Sequence, residues 1–268
     1  RQGPQPTAEF GDYPRQLDRQ AKLLGGDAEG VFDCFAAALR AQFGTPDAFG
    51  RLMRWGGARF LGQPAFAKRY VAAIEGLLKE KGNEGNALGK YVKEAIRGAS
   101  EAGNAEAFHA LCDLQDALNP RDRKPLKPAL PGTLLSDRGV LRLSSTSSWD
   151  HPEVYRAVID GLAPVGNFHT GNEKEPWAEI VLPGMAEVSG VWLLNRGDQN
   201  NGRLPPFAVE VSEDGKTWRE VAGSDKTQGE YAFSFAPAKA TRVRVVCHPK
   251  DKTYLHLRKF CVFGKKLY

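Results

Sequence analysis

Four polar residues in the second half of the chain stand at spacings that could bring them to one ligand. They are His169, Arg196, Asp198 and Arg203, and they lie just outside short apolar runs. An arginine guanidinium presents fixed, forked donors that can address two neighbouring oxygen atoms at once, and a neutral imidazole would add a further donor. Asp198 lies two positions from Arg196 and could hold its guanidinium in place. Either these are ordinary surface charges, or they converge on one ligand.

The composition is that of a globular protein with one or two domains. The chain has 268 residues, of which 41% are hydrophobic and 26% charged, and its formal net charge is +5. The densest run of charge, Arg121 to Lys127, is short and broken by proline, so we expect no nucleic-acid partner. No stretch approaches the ~18 apolar residues of a membrane span, and no signal-peptide pattern is present. The chain begins at Arg1 without Met, so a targeting segment or a larger parent polypeptide could have been removed.

The cysteines and the known catalytic motifs give no sign of a metal centre or an enzyme. Cys34, Cys112, Cys247 and Cys261 show no ligand spacing typical of zinc. A bridge between Cys247 and Cys261 requires that the last two strands pair, which the sequence does not decide. The chain lacks a nucleophile elbow, a zinc-protease motif, a phosphate-binding loop and a dinucleotide fingerprint. We therefore expect a binding protein and not an enzyme.

The two halves of the chain have different hydrophobic periods. From residue 11 to about 118, apolar residues recur at spacings of three and four, as in Val31, Phe32, Phe35, Leu39 and Phe43. Five or six helices with short loops are predicted, packed as an antiparallel bundle at residues 1–118. Residues 119–136 hold four prolines among charges and are interpreted as a linker, or as an extended arm along a neighbouring surface.

After Asp137 the period changes to two, which is typical of strands with one buried face. About eight short runs alternate, and turn residues separate them. "SEDGKTW" predicts a tight hairpin, since Asp-Gly supplies the positive φ angles that such a turn needs. Residues 137–268 therefore predict an antiparallel β-sandwich or jelly roll, with ligands bound on the loops at one end. The whole is an α+β multidomain chain, with an all-α bundle followed by a β-sandwich.

The order of motifs in residues 137–268 resembles a discoidin-like domain of the coagulation-factor C type. The resemblance depends on "AVIDG", on "HT" followed by "PW", and on "NR", "VSEDGKTW", "RVRV" and "LHLRKFCVFGK". It covers about 130 residues, nearly half the chain. It implies a jelly roll whose protruding loops bind glycans, lipids or proteins.

A narrower branch, the F-type lectins, is similar in one further respect. Its fucose-binding signature is a His, 26 residues, an Arg, one residue, an Asp, four residues, and an Arg or Lys. His169, Arg196, Asp198 and Arg203 fill every position at that spacing. The resemblance implies that these four residues form a fucose-binding site, in which His169, Arg196 and Arg203 would donate to the hydroxyl groups and the ring oxygen and Asp198 would hold Arg196 in place.

The chain departs from the lectin pattern beside the signature. Gln199 and Asn200 stand where F-type lectins place two adjacent cysteines, whose disulfide packs against the sugar. Phe168 could supply the missing apolar surface. Trp149, near the loops at the mouth of the sandwich, is a further candidate contact.

A second departure concerns calcium. The resemblance implies an ion held by Asp160 and by a glutamate near the C-terminus, but Lys259 stands at the position of that glutamate. A hard cation needs oxygen ligands, and an ammonium group would repel it. We hypothesise that Lys259 replaces the ion and pairs with Asp160, so that the protein needs no cofactor.

The sequence thus favours a non-catalytic protein that binds fucose or fucosylated glycans. A single-sugar site built in this way is expected to be weak, with multivalent assembly supplying avidity. Two alternatives stay open: an accessory glycan-binding and helical region of a larger carbohydrate-active enzyme, or a protein-adhesion module without a sugar ligand. If the sugar is not fucose, the two arginines would also suit the carboxylate or sulfate of an acidic glycan. The lectin resemblance favours an extracellular or cell-surface location.

Overall fold

Helices make up the first half of the chain in the computed structural model, which describes residues 13–23, 25–81, 87–127 and 130–268. The contacts divide the chain into two units, between Asn119 and Pro120. The predicted helical region starts at residue 11, which lies outside the described residues. The helices of the first unit are α1 (Tyr13–Leu23), α2 (Ala28–Ala41), α3 (Pro46–Phe60), α4 (Pro64–Lys81), α5 (Ala87–Ala102) and α6 (Ala105–Leu118).

Local capping and an apolar stripe account for the helices. The carboxylate of Asp27 accepts the backbone N–H of Glu29 at 3.1 Å before α2. The side-chain oxygen of Asn104 accepts the N–H of Ala107 at 3.0 Å before α6. These caps satisfy N–H groups that have no partner within a helix. The stripe predicted for α2 is buried at Val31, Phe32, Phe35 and Leu39, and the all-α first half is confirmed.

Glycines allow α3 to pack closely in this unit. A Cβ atom at Gly98 of α5 would lie 3.1 Å from the Cα atom of Gly57 in α3, so the two backbones meet at a pair of glycines. A Cβ atom at Gly56 would lie 2.4 Å from the ring of Phe35. Phe35 is fully buried and stacks on Tyr70, with ring centroids 5.5 Å apart. The ring therefore has no room to retreat from a larger residue at position 56.

The second unit is the predicted antiparallel sandwich, and that fold class is confirmed. Its strands pair in the order β1-β7-β3-β6-β4-β5, and β2 pairs with β3. All these pairings are antiparallel. The elements are β1 (Thr133–Leu134), β2 (Val140–Leu143), α7 (Tyr155–Ile159), β3 (Trp177–Asn195), β4 (Phe207–Ser212), β5 (Arg219–Ser224), β6 (Glu230–Cys247) and β7 (Leu257–Lys266).

Two pairs of predicted strands are joined into long strands. "WAEIVL" and "VSGVWLLN" form the single strand β3, and "YAFSF" and "TRVRVVCH" together form β6, except for the final His248. The register between β3 and β6 is interrupted between Val181 and Ala186. The first half of β3 lies between β2 and β6, whereas the second half lies between β7 and β6. The interruption therefore separates a part of β3 that pairs with β2 from a part that pairs with β7.

The segment expected to be a linker or an extended arm lies against the second unit. Thr133 and Leu134 form β1 and pair with β7. Further back, Pro125 forms an isolated bridge with Leu162. Leu126 and Leu130 pack on the buried cluster around Trp192. Proline-rich composition predicted the extended conformation, but not the surface that this segment covers.

The four cysteines are all free thiols in the structure. The bridge considered between Cys247 and Cys261 requires pairing of β6 with β7, but both strands pair with β3 on its opposite edges. Cys261 lies opposite Trp192 in β3, whereas Cys247 adjoins the start of β3 near Trp177. The two thiols therefore lie near opposite ends of that strand. Within the described part of the chain, no helix is long and apolar enough to cross a membrane.

Candidate functional site

An open cavity of about 420 Å³ lies at one end of the sandwich. The loops that form it are 144–154, 160–176, 196–206 and 248–256, and the paired strand ends bring them together. It is lined by Trp149, His151, Asn167, His169, Arg196, Asn200, Arg203 and Tyr254. Three residues of the predicted signature thus reach one cavity, and His169, Arg196 and Arg203 are called the clamp below.

His169 is held in a defined tautomer. Its Nδ1 atom lies 3.1 Å from the backbone carbonyl oxygen of Thr170 and 3.2 Å from Oγ of Ser147. A carbonyl oxygen can only accept, so Nδ1 carries the proton and Nε2 of the neutral ring is an acceptor. In this tautomer the proton of the neutral ring is used within the protein, whereas the sequence predicted a donor to the ligand. The N–H of His169 donates to the buried carboxylate of Asp150 at 3.0 Å, which fixes the backbone as well.

Arg196 is the first residue after β3, and Asp198 holds its guanidinium. Nη2 of Arg196 donates to Oδ2 of Asp198, and Oδ1 of Asp198 accepts the N–H of Asn200 at 3.0 Å. The hydrogen bond from Arg196 holds the pKa of Asp198 below its ordinary value. Asp198 does not line the cavity, whereas Arg196 and Asn200 do. The Nε atom of Arg196 is buried and has no partner in the described residues.

Arg203 lies beside an aromatic ring that the sequence analysis did not single out. Its guanidinium carbon is 5.4 Å from the ring centroid of Tyr254. The same ring lies 5.2 Å from the imidazole of His169, edge to face. Tyr254 therefore contacts two members of the clamp from a third loop. Nothing in its local sequence indicates this role, because the contact depends on how distant loops meet.

His256 is a second residue that the sequence analysis missed. It is 1% exposed, and its ring centroid is 5.2 Å from that of His169. Nε2 lies 3.3 Å from the carbonyl oxygen of Asn200 and donates to it, while the buried Nδ1 has no partner in the described residues. Burial, and then the positive charge of Arg196, lowers the pKa of His256 to about 4. At neutral pH this imidazole is uncharged and ties the loop of Asn200 to the loop before β7.

Of the four remaining candidate contacts, two line the cavity, one is exposed outside it and one is buried. Trp149 and Asn200 line the cavity. Gln199 is exposed to solvent and lies outside the lining. Phe168 is fully buried, while its neighbours Asn167 and His169 both line the cavity. Successive side chains of an extended segment point to opposite sides, so Phe168 faces the core and does not provide the apolar surface considered above.

Asp160 and Lys259 form a buried ion pair on another part of the unit. Nζ of Lys259 lies 2.9 Å from Oδ1 of Asp160, and it also donates to the backbone oxygens of Ala157 and Asp160 at 2.6 and 2.8 Å. Arg123, from the segment expected to be a linker, donates to both carboxylate oxygens at 2.7 and 2.8 Å. Burial alone would raise the pKa of Asp160, but Arg123 and Lys259 hold it below its ordinary value.

These residues do not fit a calcium ion. Calcium requires six to eight oxygen ligands, and here an ammonium and a guanidinium already hold the oxygens of Asp160. Both cations would repel an incoming ion. Among the residues that the structure describes, no group of three or more His, Cys, Asp or Glu side chains could hold a metal.

The family comparison agrees with this fold. Residues 142–258, which lie within the second unit, match the model of the F5/8 type C domain. The match does not extend to the helical unit. A search of curated proteins found no match to the chain.

Three solved structures illustrate the fold similarity, each over about half of this chain. A fucose-binding module from Streptococcus pneumoniae is 21% identical over 52% of this chain and 100% of its own, with a TM-score of 0.44. The fucolectin from striped bass (Morone saxatilis) is 21% identical over 51% of this chain and 49% of its own, with a TM-score of 0.44. CpGH89CBM32-5 from Clostridium perfringens, in complex with GalNAc-beta-1,3-galactose, is 23% identical over 49% of this chain and 100% of its own, with a TM-score of 0.42.

Proposed function

We propose that the second unit is a carbohydrate-binding module and that the loop cavity binds fucose or a fucosylated glycan through the clamp. One observation carries the proposal. His169 and Arg203 are 34 residues apart in the sequence, yet both line one cavity together with Arg196. The convergence of two guanidinium groups and an imidazole on one cavity supports a shared ligand.

The chemistry of the clamp suits a polyhydroxylated ring. Arg196 and Arg203 supply donors to hydroxyl oxygens and to the ring oxygen. Nε2 of His169 supplies an acceptor for a hydroxyl proton. A ring hydroxyl both donates and accepts, so this mixture addresses neighbouring hydroxyls better than donors alone would. Tyr254 gives an apolar surface beside Arg203 and His169.

A binding role is proposed, and not a catalytic one. Glycoside hydrolysis generally needs two carboxyl groups on either side of the scissile bond. The described lining of the cavity includes no Asp or Glu side chain, since Asp198 lies outside the lining and is held by Arg196. We also propose that the loop around Asp160 works without calcium, because Lys259 and Arg123 already hold its oxygens.

An acidic glycan is a second candidate ligand. The observation that favours it is the same lining, with two arginines and no carboxylate among its described residues. A sulfate or carboxylate group would gain charge-assisted hydrogen bonds from either guanidinium. A sulfated fucose that binds more tightly than fucose, with a steep dependence on salt, would favour this candidate.

Titration calorimetry with L-fucose tests the proposal on three proteins. The wild type should bind weakly, and Arg203→Ala should reduce the affinity by more than tenfold, because hydrogen bonds to charged groups contribute about 1.5–3 kcal/mol. Arg219→Ala is the matched control, since Arg219 is an exposed arginine of β5 outside the cavity. A glycan array with the same three proteins extends the test to other sugars. Wild-type protein that binds no glycan, or binding that Arg203→Ala leaves unchanged, would contradict the proposal.

A further inference from the structure

Besides the clamp, Asn200 and Tyr254, three further residues line the cavity. Two of them, Trp149 and His151, precede α7, and the third, Asn167, lies two residues before His169. Trp149 is 72% exposed, although its indole is large and apolar. Exposed large apolar side chains elsewhere in the described residues, such as Tyr268, do not line this cavity. An exposed indole at the rim of a polar cavity indicates a ligand-contact surface.

The loop of Trp149 is fixed relative to the clamp. The backbone N–H of Trp149 donates to Oγ of Ser147 at 3.2 Å, and the same hydroxyl lies 3.2 Å from Nδ1 of His169. The next residue, Asp150, is buried and accepts both the N–H of His169 at 3.0 Å and the hydroxyl of Tyr155 at 2.6 Å. These bonds hold the backbone of Trp149 at a defined place beside His169. A backbone that is already in place lowers the entropy cost of ordering the indole against a ligand.

His151 and Asn167 add acceptors to this surface. Nδ1 of His151 lies 3.2 Å from the carboxylate of Glu153. An ionised carboxylate only accepts, so Nδ1 carries a proton, and Nε2 is an acceptor in the neutral form of the ring. The amide nitrogen of Asn167 donates to the carbonyl oxygen of Phe168 at 3.2 Å, which leaves its side-chain oxygen as an acceptor. An apolar face flanked by two acceptors matches a pyranose ring, which has an apolar C–H face and hydroxyl donors at its edge.

We propose that Trp149, His151 and Asn167 form a second subsite, which holds the saccharide ring attached to the sugar in the clamp. The ligand is then an oligosaccharide, and not a single terminal sugar. The cavity of about 420 Å³ falls in the range of sites that hold ligands larger than one small ring. This inference rests on the proposed function, because it needs a first sugar in the clamp.

Calorimetry with a matched pair of sugars tests the subsite. The probes are L-fucose, which reaches only the clamp, and 2′-fucosyllactose, which adds two rings to the same fucose. Wild-type protein should bind the trisaccharide about tenfold more tightly than fucose. Trp149→Ala should weaken binding of the trisaccharide much more than binding of fucose, whereas Trp149→Phe should keep part of the preference for the trisaccharide. Tyr268→Ala removes an exposed aromatic ring outside the cavity and serves as the control.

The outcomes separate this inference from the proposed function. A preference for the trisaccharide that Trp149→Ala leaves intact overturns the subsite and leaves the clamp standing. Equal losses for both sugars also overturn it, because Trp149 would then act on the clamp itself. Absence of binding to any glycan overturns the proposed function and the subsite together. Melting temperatures of all variants confirm that an exposed residue was changed without unfolding the protein.

Discussion

The ammonium nitrogen of Lys259 lies 2.9 Å from a carboxylate oxygen of Asp160. The same nitrogen donates to the backbone oxygens of Ala157 and Asp160, so all three of its hydrogens have partners. Lys259 is 0% exposed, and a buried charge of this kind is tolerated only when it is paired and hydrogen-bonded. Replacing either partner leaves polar groups unpaired in the interior.

Lys259→Met should therefore destabilise the second unit strongly. Removing one partner of a buried pair typically costs about 3–5 kcal/mol, and the lower end applies here because Arg123 still pairs with Asp160. Urea unfolding measures the change in the free energy of unfolding. Lys265→Met, at an exposed position of β7, is the control. If both substitutions change the free energy of unfolding equally, the ion pair of Lys259 and Asp160 makes no specific contribution to stability.

Calcium should leave the melting temperature unchanged. The oxygens that a cation would need at Asp160 are held by Lys259 and Arg123, so no binding energy is available to stabilise the folded state. Thermal melting with millimolar calcium, compared with melting in a chelator, measures this. A clear upward shift at low ion concentration would contradict the prediction.

Asp198→Asn should weaken sugar binding several-fold with little effect on stability. Asp198 holds the guanidinium of Arg196 but does not line the cavity, so its removal loosens a donor without deleting a ligand contact. The side chain is exposed, and exposed ion pairs contribute little to folding. Calorimetry with the preferred glycan measures the effect, and Asp225→Asn, at another exposed position, is the control. An unchanged affinity would show that Arg196 needs no such support.

Acid should destabilise the protein through His256. Its folded-state pKa of about 4 lies below the ordinary value of 6.5, because burial and Arg196 disfavour the charged ring. As the pH falls from 6.5 towards 4, the unfolded chain takes up this proton before the folded one does. Each pH unit in that window therefore removes up to about 1.4 kcal/mol of stability, whereas above 6.5 the effect is absent.

The measurement compares wild type with His256→Gln across pH. Glutamine can still donate to the carbonyl oxygen of Asn200 but does not titrate. The wild type should lose its advantage in unfolding free energy as the pH is lowered from 6.5 to 4. Parallel curves for the two proteins would assign the acid sensitivity to other groups.

Gly56→Ala should destabilise the helical unit, whereas Gly76→Ala should not. A methyl group at Gly56 meets the buried ring of Phe35, and overpacking of this kind costs about 1–3 kcal/mol. A methyl group at Gly76 in α4 meets nothing within 4 Å and should add up to about 1 kcal/mol, because alanine is the better helix former. Thermal unfolding of both variants gives the comparison. Equal effects would mean that the side chains around Gly56 move to make room for a methyl group.

The sequence predicted the fold where the signal was local. The apolar stripe of α2 and the hairpin at the Asp-Gly sequence both depend on neighbouring residues, and both form. Gly215 has a φ of 72°, but the connection between the paired residues Val211 and Arg219 is longer than the tight turn predicted. The division of β3 into two strands was wrong, because "WAEIVL" and "VSGVWLLN" are continuous only through their pairing with distant strands. Strand continuity of this kind is a tertiary property.

The site residues, too, could be predicted only in part from the sequence. The spacing of the signature indicated His169, Arg196 and Arg203, and the structure brings them to one cavity. Tyr254 and His256 come from another loop, and no spacing rule connects them to the signature. The guanidinium of Arg123 binds Asp160. The sequence did not indicate this contact, because the composition around Arg123 suggested a linker. Each of these contacts depends on loops that meet only after folding.

The position of Arg196 directly after β3 links the cavity to the global stability of its unit. The second half of β3 pairs on both edges, with β6 and with β7, so the amides of Val191 to Leu194 should exchange with solvent only when the whole unit unfolds. The backbone that carries Arg196 is therefore anchored on its N-terminal side, and local unfolding there should not displace the guanidinium. We therefore expect hydrogen exchange to show a sharp boundary after Asn195, and ligand binding to persist up to the global unfolding transition.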